Sequence, residues 1–328
     1  MLQHYLLFLA ETATLLAALL LLAAGLVGLG QRRGRDKAGG IQVTDLRQEL
    51  HQHGIQVLHA RLGRKAARTA LRKLKKQDRE AARAEGPCTY ILDFRGDLRA
   101  SALGALREEI STLLASRQDG DRVYLRLESG GGMVNAYGLA AAQLLRLRDA
   151  GIPLTVLVDS VAASGGYLMA AVADEIVASP FAVLGSIGVI AQVPNFHRWL
   201  REHHVDFEQF TAGRYKRTVS LFGENTETGR QKLQEDLETI HAQFRELVGR
   251  FRPQVDLEKV ATGETWLGSQ ALELGLVDRL ATSDGEILQA AETGRVLRLQ
   301  YFRRQSLAQR LGMRVQGVWE GLWKPPAF

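Results

Sequence analysis

Residues 158–170 read VDSVAASGGYLMA, and this stretch with its flanks decides how the chain folds. Pro153 to Asp159 is an apolar, β-branched run of strand length, whereas Ala162 to Val172 consists of small residues that suit a helix. Ser164 is therefore predicted to lie where a strand passes into a helix. The free N–H groups of a helix start favour the negative charge that develops during acyl transfer to a serine. The pattern indicates a nucleophile, and a serine that only caps the helix fits the same residues.

A second glycine-rich loop precedes this stretch. Val123 to Leu127 alternates like a strand, residues 128–133 (ESGGGM) interrupt it, and Ala136 to Arg148 is rich in Ala and Leu, as helices are. The N–H groups of such a loop would complete an oxyanion hole together with the N–H of Gly165. Three glycines also suit a phosphate-binding nest or a plain turn. The loop matches neither GxGxxG nor GxxxxGK[ST], so nucleotide binding loses support.

The rest of the chain predicts an α/β protein with one catalytic domain and appended segments. It has 328 residues, of which 46% are hydrophobic. Strand-like and helix-like runs alternate from Tyr90 to about Ala291, an order typical of α/β folds. We expect helices at Ala100–Ser116, Ala136–Arg148 and Thr226–Arg252.

Four blocks in this region resemble one known family. The chain is similar to the family of signal peptide peptidase A and SohB serine proteases, and the similarity extends from Tyr90 to Leu280. The resemblance implies a ClpP/crotonase-like fold, no cofactor and a homo-oligomer. Gly130 stands where the family usually has proline. The blocks are ESGGGMVNAYGLAAAQL (128–144), VDSVAASGGYLMA (158–170), LGSIGVI (184–190) and GRYKR (213–217).

The same resemblance implies a role for five residues. Ser164 would be the nucleophile, Lys216 the general base and Ser186 the hydrogen-bond partner that orients the lysine amine. Gly131 and Gly165 would supply the oxyanion N–H groups. A lysine in water has a pKa of about 10.4 and is charged near neutrality, so this mechanism predicts a desolvated amine.

Other interpretations of these residues stay open. Lys216 stands between Arg214 and Arg217 and would be an ordinary surface cation if the resemblance fails. His197 is the histidine nearest to the blocks and is a rival base. The sequence shows neither HExxH nor a Cys/His zinc pattern, so we expect no metal.

An N-terminal apolar run predicts a single membrane anchor over residues 6–30. Thr12 to Gly30 contains 19 uncharged residues, which is long enough to span a bilayer. The arginines follow this run instead of preceding it, which favours a retained anchor over a cleaved signal peptide. We expect location in the cell inner membrane. The charge pattern favours a cytoplasmic catalytic domain, and the resemblance implies the opposite side.

The charge is concentrated on the flanks of the catalytic region. Residues 31–86, a predicted basic helical spacer, hold 15 Lys and Arg against 6 Asp and Glu, and residues 295–328, a predicted tail, hold 7 against 1. Since the spacer follows the anchor, the expected partner is the lipid bilayer and not nucleic acid. Residues 87–294 remain for the catalytic domain. Within them Ile176 to Phe196 carries no charge, but its prolines and glycines indicate buried strands instead of a second span.

Together these patterns predict a membrane-anchored serine endopeptidase with a Ser-Lys dyad, acting on peptides or membrane proteins. Two alternatives remain: a membrane scaffold of the same fold without catalysis, and a crotonase-type acyl-CoA enzyme. The second uses carboxylates, and the chain groups no basic residues near the glycine loops to meet CoA phosphates.

Overall fold

The computed structural model describes residues 12, 14, 39–83 and 86–302. Contacts divide the chain into two compact units, one formed by residues 42–300 and the other by residues 1–41 with 301–328. The candidate site lies within the first of these units. The predicted anchor at 6–30 falls outside the described residues, apart from Thr12 and Thr14. Among the residues that are described, no helix is long and apolar enough to cross a membrane.

Helices and strands alternate along most of the chain. The helices are α1 (Leu46–Arg61), α2 (Arg64–Arg83), α3 (Leu103–Ser116), α4 (Val134–Asp149), α5 (Gly165–Ala171), α6 (His197–Glu202), α7 (Glu227–Phe251), α8 (Leu257–Val260), α9 (Gly268–Glu273) and α10 (Ser283–Thr293). The strands are β1 (Gly40–Asp45), β2 (Cys88–Arg95), β3 (Arg122–Glu128), β4 (Leu154–Val158), β5 (Val161–Ala163), β6 (Glu175–Ala178), β7 (Val183–Gly185), β8 (Thr265–Leu267), β9 (Arg279–Leu280) and β10 (Arg295–Phe302).

Two sheets organise these elements. The larger has the order β1-β10-β2-β3-β4-β6-β9, and the pairs from β10 to β9 are parallel. Every residue of β4, near its centre, is buried, as expected for a strand of a parallel sheet covered by helices on both faces. The smaller sheet joins β5, β7 and β8. The predicted α/β class is confirmed, and the three predicted helices are present with ends shifted by up to three residues.

The structure corrects three boundaries. The strand before Ser164 is the short β5 of the second sheet, and not the predicted run that forms β4. Residues 295–302, which the sequence assigned to the tail, form β10 inside the large sheet, and the predicted helical spacer begins with β1. The uncharged run Ile176–Phe196 contains β6, β7 and the loop after them, which agrees with the prediction that it is not a span.

Candidate active site

Ser164 lies at a strained turn between β5 and α5. Its backbone angles are φ 53° and ψ −122°, a conformation that costs energy for a residue with a side chain. Hydrogen bonds hold the turn on both sides: Ser164 N–H donates to Gly185 O at 2.8 Å, and Leu168 N–H donates to Ser164 O at 2.9 Å. Serine nucleophiles of hydrolases occur at strained strand-to-helix turns of this kind.

The glycines after Ser164 are required by close packing. A side chain at Gly165 would lie 2.5 Å from the ring of Tyr137, and one at Gly166 would lie 2.4 Å from the carbonyl oxygen of Ser129. Both contacts are too short for any Cβ atom. Gly165 is also the first residue of α5, where N–H groups have no partner within the helix. The predicted oxyanion donor is therefore available at this position.

The glycine loop before α4 lies directly against this turn. A Cβ on Gly131, whose φ is +88°, would be 2.7 Å from both Gly165 N and Ser164 Cβ. The N–H of Gly131 donates to Ser129 Oγ at 3.1 Å, so in this state it is not free to bind an oxyanion. The structure thus places Gly131 next to Ser164, with its N–H already engaged.

A buried chain of hydroxyl groups supports that loop. The hydroxyl of Tyr137 donates to Asp97 O at 2.8 Å, so the 2.6 Å contact between Tyr137 and Ser129 uses the proton of Ser129. Ser129 and Tyr137 are both buried, and burial raises the pKa of the Tyr137 phenol. Sequence reasoning missed this chain of hydrogen bonds because Asp97 lies 40 residues before Tyr137 and no local pattern connects them.

Ser186 lies on a second strained loop beside the first. Its φ is +50°, and its N–H donates to Glu264 O at 2.6 Å. The Nε2 atom of His241, on α7, is 3.2 Å from the neighbouring carbonyl oxygen of Ile187. Sequence analysis named His197 as the rival base and missed His241, because only the packing of α7 over the loop brings this ring to the site.

Two cavities open from Ser164. The larger, about 470 Å³, is lined in part by polar side chains, among them Ser186, Gln234, Glu238 and His241. The smaller, about 190 Å³, is mostly apolar and extends under α7. Its apolar lining includes Val134, Leu168, Ile240, Phe244 and Leu247. A chain bound across Ser164 would therefore meet a polar surface and an apolar pocket.

Lys216 is not in either cavity. It lies in residues 190–225, named here the lysine segment, in which α6 is the only regular element. The side chain of Lys216 is exposed, so the desolvated amine predicted from the resemblance is not present in this state. Its neighbour Tyr215 lies under Lys232 Nζ of α7, at 5.9 Å from the ring centre. His197 also lies in this segment, half-buried and away from both cavities.

The lysine segment exposes many apolar side chains and packs mainly on itself. Phe222 contacts Phe196 and Phe207, with ring centres 6.2 and 5.8 Å apart, and Asn195 Nδ2 donates to Ser220 O and Gly223 O at 2.9 Å. Of the 23 exposed large apolar side chains in the described residues, ten belong to this segment. They are Ile190, Val193, Phe196, Trp199, Val205, Phe207, Phe210, Tyr215, Leu221 and Phe222.

An ion pair fixes the C-terminal end of α7. Arg252, 3% exposed, donates two hydrogen bonds of 2.8 Å to Asp278, which also accepts from Ile176 N–H at 2.7 Å. Tyr167 donates to Leu276 O at 2.9 Å, and its complete burial raises the pKa of its phenol.

Within the described part of the chain, no cluster of His, Cys, Asp and Glu is placed to hold a metal ion.

Comparison with known proteins places these features in one family. Residues 146–297 match the model described as "Peptidase family S49", and residues 1–144 match "Peptidase family S49 N-terminal". The "Probable protease SohB" of Haemophilus influenzae is 43% identical over 96% of this chain and 93% of its own length. The "Probable protease SohB" of Buchnera aphidicola from Acyrthosiphon pisum is 50% identical over 67% of this chain and 66% of its own. "Protease 4" of Salmonella typhi is 32% identical over 53% and 28%.

Proposed function

Because the chain belongs to peptidase family S49, we propose that it hydrolyses peptide bonds through an acyl-enzyme on Ser164, with Lys216 as the general base and a ClpP/crotonase-like catalytic domain. The observation that carries this proposal is the strained turn at Ser164, which opens onto two cavities and adjoins the glycine loop. A serine that only capped α5 would not need these angles, and Ser164 makes no side-chain capping hydrogen bond.

The general base needs a change in its surroundings. A lysine amine accepts the serine proton only when neutral, and removal from water is what favours the neutral form. Since Lys216 is exposed here, the lysine segment must be covered before the dyad can operate. We infer that a second copy of the chain covers it, because the ten exposed apolar side chains of the segment favour contact with another protein surface. Ser186, in the polar cavity, would then orient the amine.

The oxyanion would bind to backbone donors. Gly165 N–H at the start of α5 is the first, and Gly131 N–H is the second once it exchanges Ser129 Oγ for the substrate oxygen. This exchange keeps Gly131 satisfied in both states, because Ser129 Oγ holds its N–H whenever no substrate is present. Catalysis therefore exchanges one hydrogen bond of the loop and requires no rearrangement of the loop.

The cavities support a proposal for the substrate class. The pocket under α7 accepts an apolar side chain of moderate size, because its volume is about 190 Å³ and its lining is mostly apolar. The polar cavity, about 470 Å³ in volume, would accommodate the adjacent peptide backbone. We therefore propose peptides or membrane proteins with apolar residues next to the cleaved bond. Residues 6–30 are proposed to anchor the enzyme in the cell inner membrane.

A serine-reactive fluorophosphonate probe tests the catalytic proposal. The full-length chain should be labelled at Ser164 and should cleave peptides, and Ser164→Ala should do neither while melting at the wild-type temperature. Ser160→Ala is the matched control, because Ser160 is an exposed serine in the same region and lines neither cavity at Ser164. If Ser164→Ala and Ser160→Ala are both labelled, or if the wild type is not labelled, the result would favour the non-catalytic scaffold.

A further inference from the structure

The second helix, α2, carries a row of positive charges that the proposed catalysis does not use. The sequence of Arg64–Arg83 contains nine Lys and Arg and two acidic residues. Lys65, Arg68, Arg72 and Lys76 recur at intervals of three and four, so they share one face, and all four side chains are exposed. At the rise of an α-helix, the four residues extend along roughly 17 Å.

The opposite face of α2 is occupied. Ala70, Leu71 and Leu74 are half-buried, and α2 packs against α1. The basic row therefore points away from the packed face and is not needed for the packing. Like charges three and four residues apart destabilise a helix that has no counterions. Within the described part of the chain, no ion pair involves Lys65, Arg68, Arg72 or Lys73.

We propose that the exposed basic face of α2 binds the surface of an anionic lipid bilayer. A straight row of cations matches a plane of negative headgroups, and such attraction acts over about a Debye length. The uncharged run of residues 12–30 lies in the same chain, before the helix. Residues 46–83 contain no Phe, Trp or Tyr, the side chains on which single-stranded nucleic acids stack, which favours lipid over nucleic acid.

The test compares vesicles of phosphatidylcholine alone with vesicles that also contain phosphatidylglycerol, using the full-length chain and flotation. Any contribution of the uncharged run would be the same with both kinds of vesicle, so the measured quantity is the increment caused by the anionic lipid. Combined Lys65→Gln, Arg68→Gln and Arg72→Gln should reduce that increment about a hundredfold, at roughly fivefold for each charge. High salt should reduce the wild-type increment in the same direction.

A second triple variant controls for net charge. Arg99, Arg107 and Arg122 are exposed elsewhere, and in the described structure their side chains form no hydrogen bond or ion pair, so their replacement by Gln should leave the increment unchanged. Circular dichroism should show the same helix content in both variants. Equal losses in the two variants, or no increment in the wild type, would overturn the proposal. Retardation of a DNA duplex by the wild type, abolished only in the α2 variant and without a lipid increment, would assign the face to nucleic acid instead.

Discussion

The turn around Ser164 and the lysine segment around Lys216 are built in opposite ways. At Ser164 the flanking residues are buried, glycines allow backbones to touch, and hydrogen bonds to Gly185 of β7 and from Leu168 of α5 hold the strained angles. In residues 190–225 most side chains are exposed, and α6 is the only helix. One half of the proposed dyad is therefore preformed by the fold, and the other half is not assembled in a single chain.

A Ser-Lys enzyme has one structural requirement for its nucleophile and another for its base, and the two regions differ in which requirement is met. The nucleophile needs accurate placement, which close packing provides. The base must be shielded from water. An exposed segment becomes shielded only when another molecular surface covers it. If the contact is a second copy, activity depends on association, and a free single chain would carry a nucleophile without a functional base.

The largest expected effect distinguishes a Ser164–Lys216 dyad formed between two copies from a dyad formed within one chain. Ser164→Ala and Lys216→Ala should each lower kcat/KM by about a thousandfold or more, and the double variant should lose little further, because both act in one proton transfer. Mixing the two single variants should restore part of the activity if Lys216 serves the Ser164 of a neighbour. Peptide cleavage by the mixture against each variant alone measures this. No recovery under conditions that exchange subunits would place both residues in the same chain.

Adjacent glycines test how closely the Ser164 side is packed. Gly131→Ala should destabilise the protein by about 1–3 kcal/mol and impair catalysis, because its φ is +88° and the added Cβ would clash with Gly165 N. Gly130→Ala should be neutral or stabilising by about 0.4–1 kcal/mol, since its φ is not left-handed and nothing lies within 4 Å of the new Cβ. Urea unfolding and peptide kinetics measure both. Equal effects would mean that the loop is not held against Ser164.

Two exposed phenylalanines test the role of the lysine segment. Phe210 is 90% exposed within the segment, and Phe181 is 81% exposed outside it. Phe210→Ser should weaken self-association and lower activity in dilute solution, with recovery as the protein concentration rises. Phe181→Ser should change neither. Sedimentation velocity and activity across a dilution series give the result, and neither variant should alter stability by more than about 0.5 kcal/mol.

A smaller expected effect concerns the stability of the folded protein in acid. Arg279 donates to Glu286, and this hydrogen bond holds the pKa of the Glu286 carboxyl below its usual value. The stabilisation is present above the unfolded pKa of Glu286 and is lost as the pH falls through the lower folded value. Since Arg279 is 40% exposed, we expect only about 1 kcal/mol. Urea unfolding of wild type and Glu286→Gln should differ near neutrality and converge in acid. A constant difference would refute the assignment.

The sequence predicted the parts of this site that depend on local chemistry. The glycines and the small residues after Ser164 form a contiguous pattern behind an apolar run, so the placement of Ser164 at a strand-to-helix turn could be predicted. The predicted strand was the run that forms β4, whereas the strand at the turn is β5. The glycine loop was predicted for the same reason. By contrast, His241 reaches the site only because α7 packs over the loop after β7, and no local pattern reports such a contact.

The overall fold, like the site, could be predicted only where local patterns determine it. Alternating strands and helices gave the α/β class, but the position of β10 between β1 and β2 depends on pairing between distant segments. Residues 295–302 were assigned to a tail because a basic composition resembles that of a flank, while the buried Val296 and Leu299 reveal a strand only once the sheet is known. The exposure of Lys216 agrees with the alternative of a surface cation, whereas the resemblance implied a desolvated amine, because a family role does not specify how copies of the chain assemble.

The strand order has a consequence for how the protein emerges from the ribosome. Strand β1 is made near the start of synthesis, and its only neighbour in the large sheet is β10, which is made more than two hundred residues later. Until β10 is translated, β1 has no partner and β2 presents an unpaired edge, the kind of surface that invites pairing with another chain. Nascent chains stalled before residue 295 should therefore depend on chaperones more than completed chains do, although they already contain Ser164 and Lys216.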